Sequence, residues 1–108
     1  MKTEIIDPIA TEELLWVRKD GAEVLITAKI GRPYRVDEDV WACPIELIGV
    51  DGKYPDMQGA GSMQALGIAL RLIKTRLGHL LEDGEKLYYL DEQKSNFDWS
   101  SLDAVFGN

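Results

Sequence analysis

Between residues 62 and 81 the apolar positions recur at the spacing of an α-helix. Met63, Leu66, Ala69, Leu70, Ile73, Leu77, Leu80 and Leu81 fall within one arc of about 120°, wide enough to face a core. Ser62 stands where an N-cap is expected, and Gly59 and Gly61 allow a sharp approach of the chain. Gly84 follows Glu82-Asp83 as the left-handed residue expected after the last turn. A second stripe, Ala65, Ile68, Leu72 and His79, lies on the far flank, where a helix resting on a sheet normally shows charge. That flank calls for a cover, either another segment of the chain or a partner.

Upstream the period changes to that of strands. Glu13–Lys19 and Glu23–Ile30 flank Asp20-Gly21, a pair suited to a tight hairpin. With those two residues as the loop, Lys19 pairs Ala22. Leu15, Val17, Val24, Ile26 and Ala28 then share the core face, Arg18 stands beside Glu23, and Trp16 lies opposite Leu25. Residues 32–39 read as a polar connection. Trp41, Cys43, Ile45 and Leu47 alternate with Ala42, Pro44, Glu46 and Ile48 as a third strand, which Pro44 confines to an edge or a bulge. Asp51-Gly52 signals a further turn into a short fourth strand over 53–58, and Leu87–Leu90 is a fifth strand or an extended segment.

These elements predict an α+β domain over residues 1–90: an antiparallel meander of about four strands with one long helix across one face. Residues 91–108 form an acidic, aromatic tail after a polar linker, with Ser100 and Asp103 spaced as a capping-box variant. The tail either folds back as a short helix over the second stripe or is offered to another molecule.

Composition narrows the function classes. The 108 residues suit a single domain, with 45% hydrophobic and 29% charged content. No apolar run approaches the ~20 residues that cross a bilayer. Met1–Pro8 lacks a signal-peptide core, so a cytoplasmic location is expected and membrane association is not. The formal charge of −7, with a pI near 4.6, opposes nucleic-acid binding, which needs concentrated Lys and Arg, and remains compatible with a basic protein partner. One cysteine excludes an intrachain disulfide framework.

Candidate chemistry is sparse. His79 has no serine or cysteine one helical turn away, so it reads as a surface or interface residue. Cys43 alternates with Trp41 and Ile45 and reads as a core residue. Asp37-Glu38-Asp39 lacks a calcium-loop pattern and reads as a solvated loop. Gly49, Gly52, Gly59 and Gly61 match no phosphate-binding fingerprint and read as turn glycines. No catalytic, metal-binding or cofactor-binding set emerges. Large aromatics of uncertain burial are the more suggestive residues. Trp16 is one, with the segment Ile5–Ile9 as a candidate cover. The candidate interface is Trp16, Leu25, Ile68, Leu72, His79, Phe97, Trp99 and Phe106.

Trp41-Ala42-Cys43-Pro44, Ile48-Gly49 and Gly59-Ala60-Gly61-Ser62-Met63-Gln64-Ala65-Leu66, with Ala69-Leu70 and Ile73, resemble a family of short bacterial proteins classed only as a domain of unknown function. Its pattern looks like W-x-C-P, an I-x-G turn and G-x-D-S-x-Q-A-L. The resemblance spans about residues 13–90 and leaves the tail unmatched. Gly61 replaces the family's frequent Asp. The resemblance implies the architecture and no activity. The expectation is a non-catalytic protein-interaction module, either a homodimer or an acidic inhibitor- or immunity-like binder. The alternative is a small-ligand binder with a pocket between sheet and helix.

Overall fold

The computed structural model describes residues 5–107. The first four residues of the segment read for a signal peptide, Met1–Glu4, lie outside the described residues. In chain order the elements are β1 (Ala10–Val17), β2 (Glu23–Ile30), β3 (Tyr34–Asp37), β4 (Val40–Cys43), β5 (Ile45–Ile48), β6 (Gly52–Lys53), β7 (Met57–Gly59), α1 (Ser62–Glu82), β8 (Lys86–Tyr89) and α2 (Trp99–Phe106). The class is α+β with antiparallel pairing, as the sequence pattern implies. The strands divide between a five-stranded sheet, β6-β5-β2-β1-β8, and a three-stranded sheet, β3-β4-β7, where the pattern predicts a single meander.

Pro44 explains the division. The expected third strand is two strands, β4 in the smaller sheet and β5 in the larger, with Pro44 between them. Pro44 has no N–H to donate, so a continuous ladder through it would lose a bond. Beside it another connection between the sheets leaves β2, and the Gly31 N–H donates to the Pro44 carbonyl at 2.9 Å. A Cβ on Gly31 would lie 2.9 Å from the Pro44 Cβ, so the absence of a side chain lets the two crossings pack side by side. The expected polar connection over 32–39 holds β3. Its turn into β4 is fastened by Arg35, which donates from Nε to the Asp37 carbonyl at 3.2 Å and from Nη2 to the Glu38 carbonyl at 2.8 Å.

The first hairpin turns as expected but one residue out of register. Arg18 pairs Ala22 around Lys19–Gly21, with the Arg18 N–H donating to the Ala22 carbonyl at 2.8 Å and Gly21 at φ +90°. This is the longer hairpin loop, with glycine at its left-handed position. The register becomes Leu14↔Ile26, Leu15↔Leu25, Trp16↔Val24 and Val17↔Glu23. A one-residue slip exchanges the faces of a strand. Leu14, rather than Leu15, is therefore buried with Ile26, Ala28 and Ile30, while Leu15 and Val17 stand on the outer face.

α1 packs against β4 and β7 and reaches β2 and β8, so one helix closes the core of both sheets. Ala65, Ala69, Ile73, Leu77 and Leu80 face inward. Ala65, assigned by spacing to the second stripe, is in the core, and Met63 is 86% exposed. The start of the helix is corrected likewise: the N-cap is Gly61, which makes no side-chain cap, and the Gln64 Oε1 accepts from the Ala60 N–H at 2.6 Å. The helix ends in a Schellman arrangement. Gly84, at φ +83°, donates to Leu81 and Glu85 donates to Leu80.

The tail folds back. Asp98 caps α2 by accepting from the Ser101 N–H at 3.0 Å, in place of the expected Ser100 and Asp103 pair. Before that helix, the chain runs along the outer edge of β8. The Tyr89 N–H donates to Ser95 and the Phe97 N–H donates to Leu87, both at 2.8 Å. Phe97 and Leu102 join the same core as the sheet residues, so this segment is part of the folding unit rather than an appendage. α2 lies along Lys74 and Gly78, where a Cβ on Gly78 would touch Trp99 and Leu102 at ordinary contact distance. That flank is not the one carrying Leu72. Leu72 packs at the margin of the core, as do Val50 and Tyr54.

Candidate functional site

Among the described residues, the larger sheet has one face against the core and one that is covered only at one end. Following the register, Leu15, Leu25 and Tyr88 form one row across the outer face, and Glu13, Thr27 and Ile48 form the next. Leu25 is 49% and Ile48 41% exposed; Leu15, Val17 and Tyr88 are half-buried beside them. Glu13, Glu23, Lys29 and Lys86 border this apolar centre. One end of the face is covered by the N-terminal segment: the Ile5 N–H donates to the buried Glu46 carboxylate at 3.1 Å, and the Ile9 N–H donates to the Ile30 carbonyl. That segment docks away from Trp16, contrary to the expectation that it covers it. Trp16 donates from Nε1 to Glu85 at 2.9 Å and carries Arg18 over its ring at 5.3 Å.

Three of the residues singled out from sequence meet elsewhere. His79, Trp99 and Phe106 line a groove of about 390 Å³ between α1 and α2, together with Arg71, Lys74 and Gly78. Trp99 is 52% exposed there. Lys74 ties the helices by pairing Asp103 at 3.1 Å and donating to the Gly107 carbonyl. Phe97 is fully buried, and Ile68 is half-buried.

On the other side of His79, Arg76 donates to its Nδ1 at 2.8 Å, which requires that nitrogen to carry a lone pair. Arg76 also grips Asp51 with both ends of its guanidinium, at 2.6 and 3.1 Å, and the Tyr54 hydroxyl donates to the same carboxylate. The Arg76 hydrogen bonds hold the Asp51 carboxyl below the usual carboxylate range, with a smaller contribution from Tyr54. Burial, and then Asp51, push the Tyr54 hydroxyl up to about 12. A lowered folded-state pKa stabilises the fold above the unfolded value, 3.8, and that contribution disappears as pH falls through the folded value. Arg76→Met is therefore expected to lower Tm at neutral pH and to converge on the parent protein below 3.8, as read by thermal melts across an acid series.

A smaller cleft, about 180 Å³, opens between the start of β1, the end of β2 and both helices. Glu12 lines it, opposite Ala28 on the core face of the sheet. Sequence reasoning missed Glu12 because the two-residue hairpin register turns it outward.

The remaining candidates do not converge on chemistry. Cys43 is fully buried, and burial, then the charge of Asp56, push its thiol up to about 11, the opposite of an activated nucleophile. Asp56 accepts from the Tyr34 hydroxyl. Among the described residues no group of three His, Cys, Asp or Glu side chains could hold a metal ion, and no helix is long and apolar enough to cross a membrane. Gly49 and Gly52 have positive φ, and Gly59 lies against the start of α1, which supports turn and close-approach roles for them.

No curated protein and no solved structure matches this chain. A family model does, over residues 11–99, reaching past β8 to Phe97 and Trp99. The matched span thus lies within the fold unit described above and takes in the first residues of the tail along its sheet, and the chain belongs to the family described as Domain of unknown function (DUF6968).

Proposed function

We propose that this chain is a non-catalytic protein-interaction module that pairs with a second copy of itself through the outer face of its larger sheet. The observation that carries the reading is the row Leu15, Leu25 and Tyr88 beside Ile48, an apolar centre that no other described residues cover on a small domain, with Leu25 and Ile48 exposed. The border has both signs, Glu13 and Glu23 against Lys29 and Lys86. A two-fold axis through the face sets each sign against its opposite, as an isologous interface requires. From strand spacing and rise the face covers roughly 500 Å², below the ~800 Å² per partner of a standard interface, so the pair is concentration-dependent.

Charge supplies the sharper test. Two chains of −7 repel one another, so screening the repulsion with salt tightens a homodimer and weakens an acidic protein's grip on a basic partner. Sedimentation is expected to show a monomer–dimer equilibrium that shifts towards dimer as salt rises, and Leu25→Asp is expected to leave a folded monomer. A parent protein that stays monomeric at every concentration, or a dimer indifferent to Leu25→Asp, would overturn the proposal.

A further inference from the structure

The cleft beside Glu12 owes its contents to the hairpin register. Because Leu14 points into the core, so does Glu12, two residues earlier on the same strand, and its cross-strand neighbour Ala28 is too small to fill the space between them and the helices. The result is a space of about 180 Å³ walled by Ile30, Leu70, Ile73 and Phe106. A cavity of about 150 Å³ accepts benzene, which sets the size of the guest.

Glu12 is the sole ionisable side chain on the cleft wall, and it has no hydrogen-bond or ion-pair partner among the described residues. A carboxylate half-withdrawn from water against apolar walls gains most from a cation that also donates hydrogen bonds. An anionic or purely polar guest would meet the wrong charge or lose its own hydration. We infer that the cleft is a binding site for a small apolar amine: a ring of about six atoms, the size of guest that a benzene-binding cavity accepts, seated among Ile30, Leu70, Ile73 and Phe106, with its ammonium on Glu12. The site is separate from the outer sheet face, so occupancy does not depend on self-association.

Benzylamine is the probe, used on the full chain with thermal melts and amide chemical shifts as readouts. It is expected to raise Tm and to shift resonances of Ala28, Ile73 and Phe106 saturably, while benzoate and benzyl alcohol at equal concentration do neither. Glu12→Gln is expected to weaken benzylamine at least about tenfold by removing the charge-assisted bond. Ala28→Ile, which fills the cleft, is expected to abolish the response. Should that variant fail to fold, Glu12→Gln still decides, because Glu12 has no described partner to lose. No saturable response to benzylamine at about 20 mM, an affinity weaker than any specific site of this kind should show, would overturn the inference. Equal binding of benzyl alcohol, or full affinity in Glu12→Gln, would overturn it as well.

Discussion

Phe97→Ala is expected to lower the unfolding free energy by about 3–5 kcal/mol, the cost of emptying a large aromatic site that cannot fully collapse. Phe97 is fully buried and meets Tyr89 edge-on, with ring centroids 5.1 Å apart and planes at 65°. Its main-chain N–H donates to Leu87, so the ring is held in place by the same segment that lines β8. Urea denaturation read by tryptophan fluorescence measures the loss. Deleting residues 92–108 removes both Phe97 and Leu102 and is expected to be at least as damaging. A loss below about 1 kcal/mol in Phe97→Ala, the level of a surface change, would show that the tail is peripheral to the fold.

Gly49→Ala is the second large effect. Gly49 has φ +95°, a conformation costly to residues with a Cβ. An added Cβ would also press on the main-chain oxygen of Leu25, with Val24 Cγ1 at 3.2 Å and Ile26 Cα at 3.3 Å. Backbone in the middle of β2 cannot move aside without breaking the ladder to β1 and β5. The expected loss is about 2–4 kcal/mol, combining strain at positive φ with overpacking. Gly21 provides the control, since it has φ +90° but nothing within 4 Å of an added Cβ. Gly21→Ala is expected to cost only the strain, about 1 kcal/mol. Equal midpoints for the two variants in urea would remove the steric part of the argument.

What could be read from sequence was local. Gly84 after Glu82-Asp83, the turn at Asp20-Gly21 and the helical recurrence from Leu66 to Leu81 are set by neighbours a few residues apart, and each is present. The hairpin register could not be read, because Leu14, Leu15, Trp16 and Val17 are all apolar and alternation does not select a face. Loop length decided it, bringing Glu12 to the cleft and Leu15 to the surface. Pro44 announced an interruption, but its consequence, a change of sheet beside Gly31, depends on a contact between segments distant in sequence. The aromatic tail was legible as something needing cover. Its destination along Gly78 and β8 rests on the same kind of distant contact. The interface set divided accordingly: Leu25 on the outer sheet face, His79, Trp99 and Phe106 around one groove, and Phe97 inside the core.

The strip of chain from Ser95 to Phe97 along β8 also determines how this protein can grow into larger bodies. It occupies hydrogen-bonding positions on one border of the larger sheet, while the opposite border, β6, is only two residues long. A sheet without a long bare border cannot recruit strand after strand from other molecules, which is how fibres extend. In the proposed pairing the outer face beside it is finite and is used up by a single mate. Crowding is therefore expected to favour closed pairs over chains that grow from this border of the larger sheet, and variants that peel the 95–97 strip away are expected to open that border to strand addition.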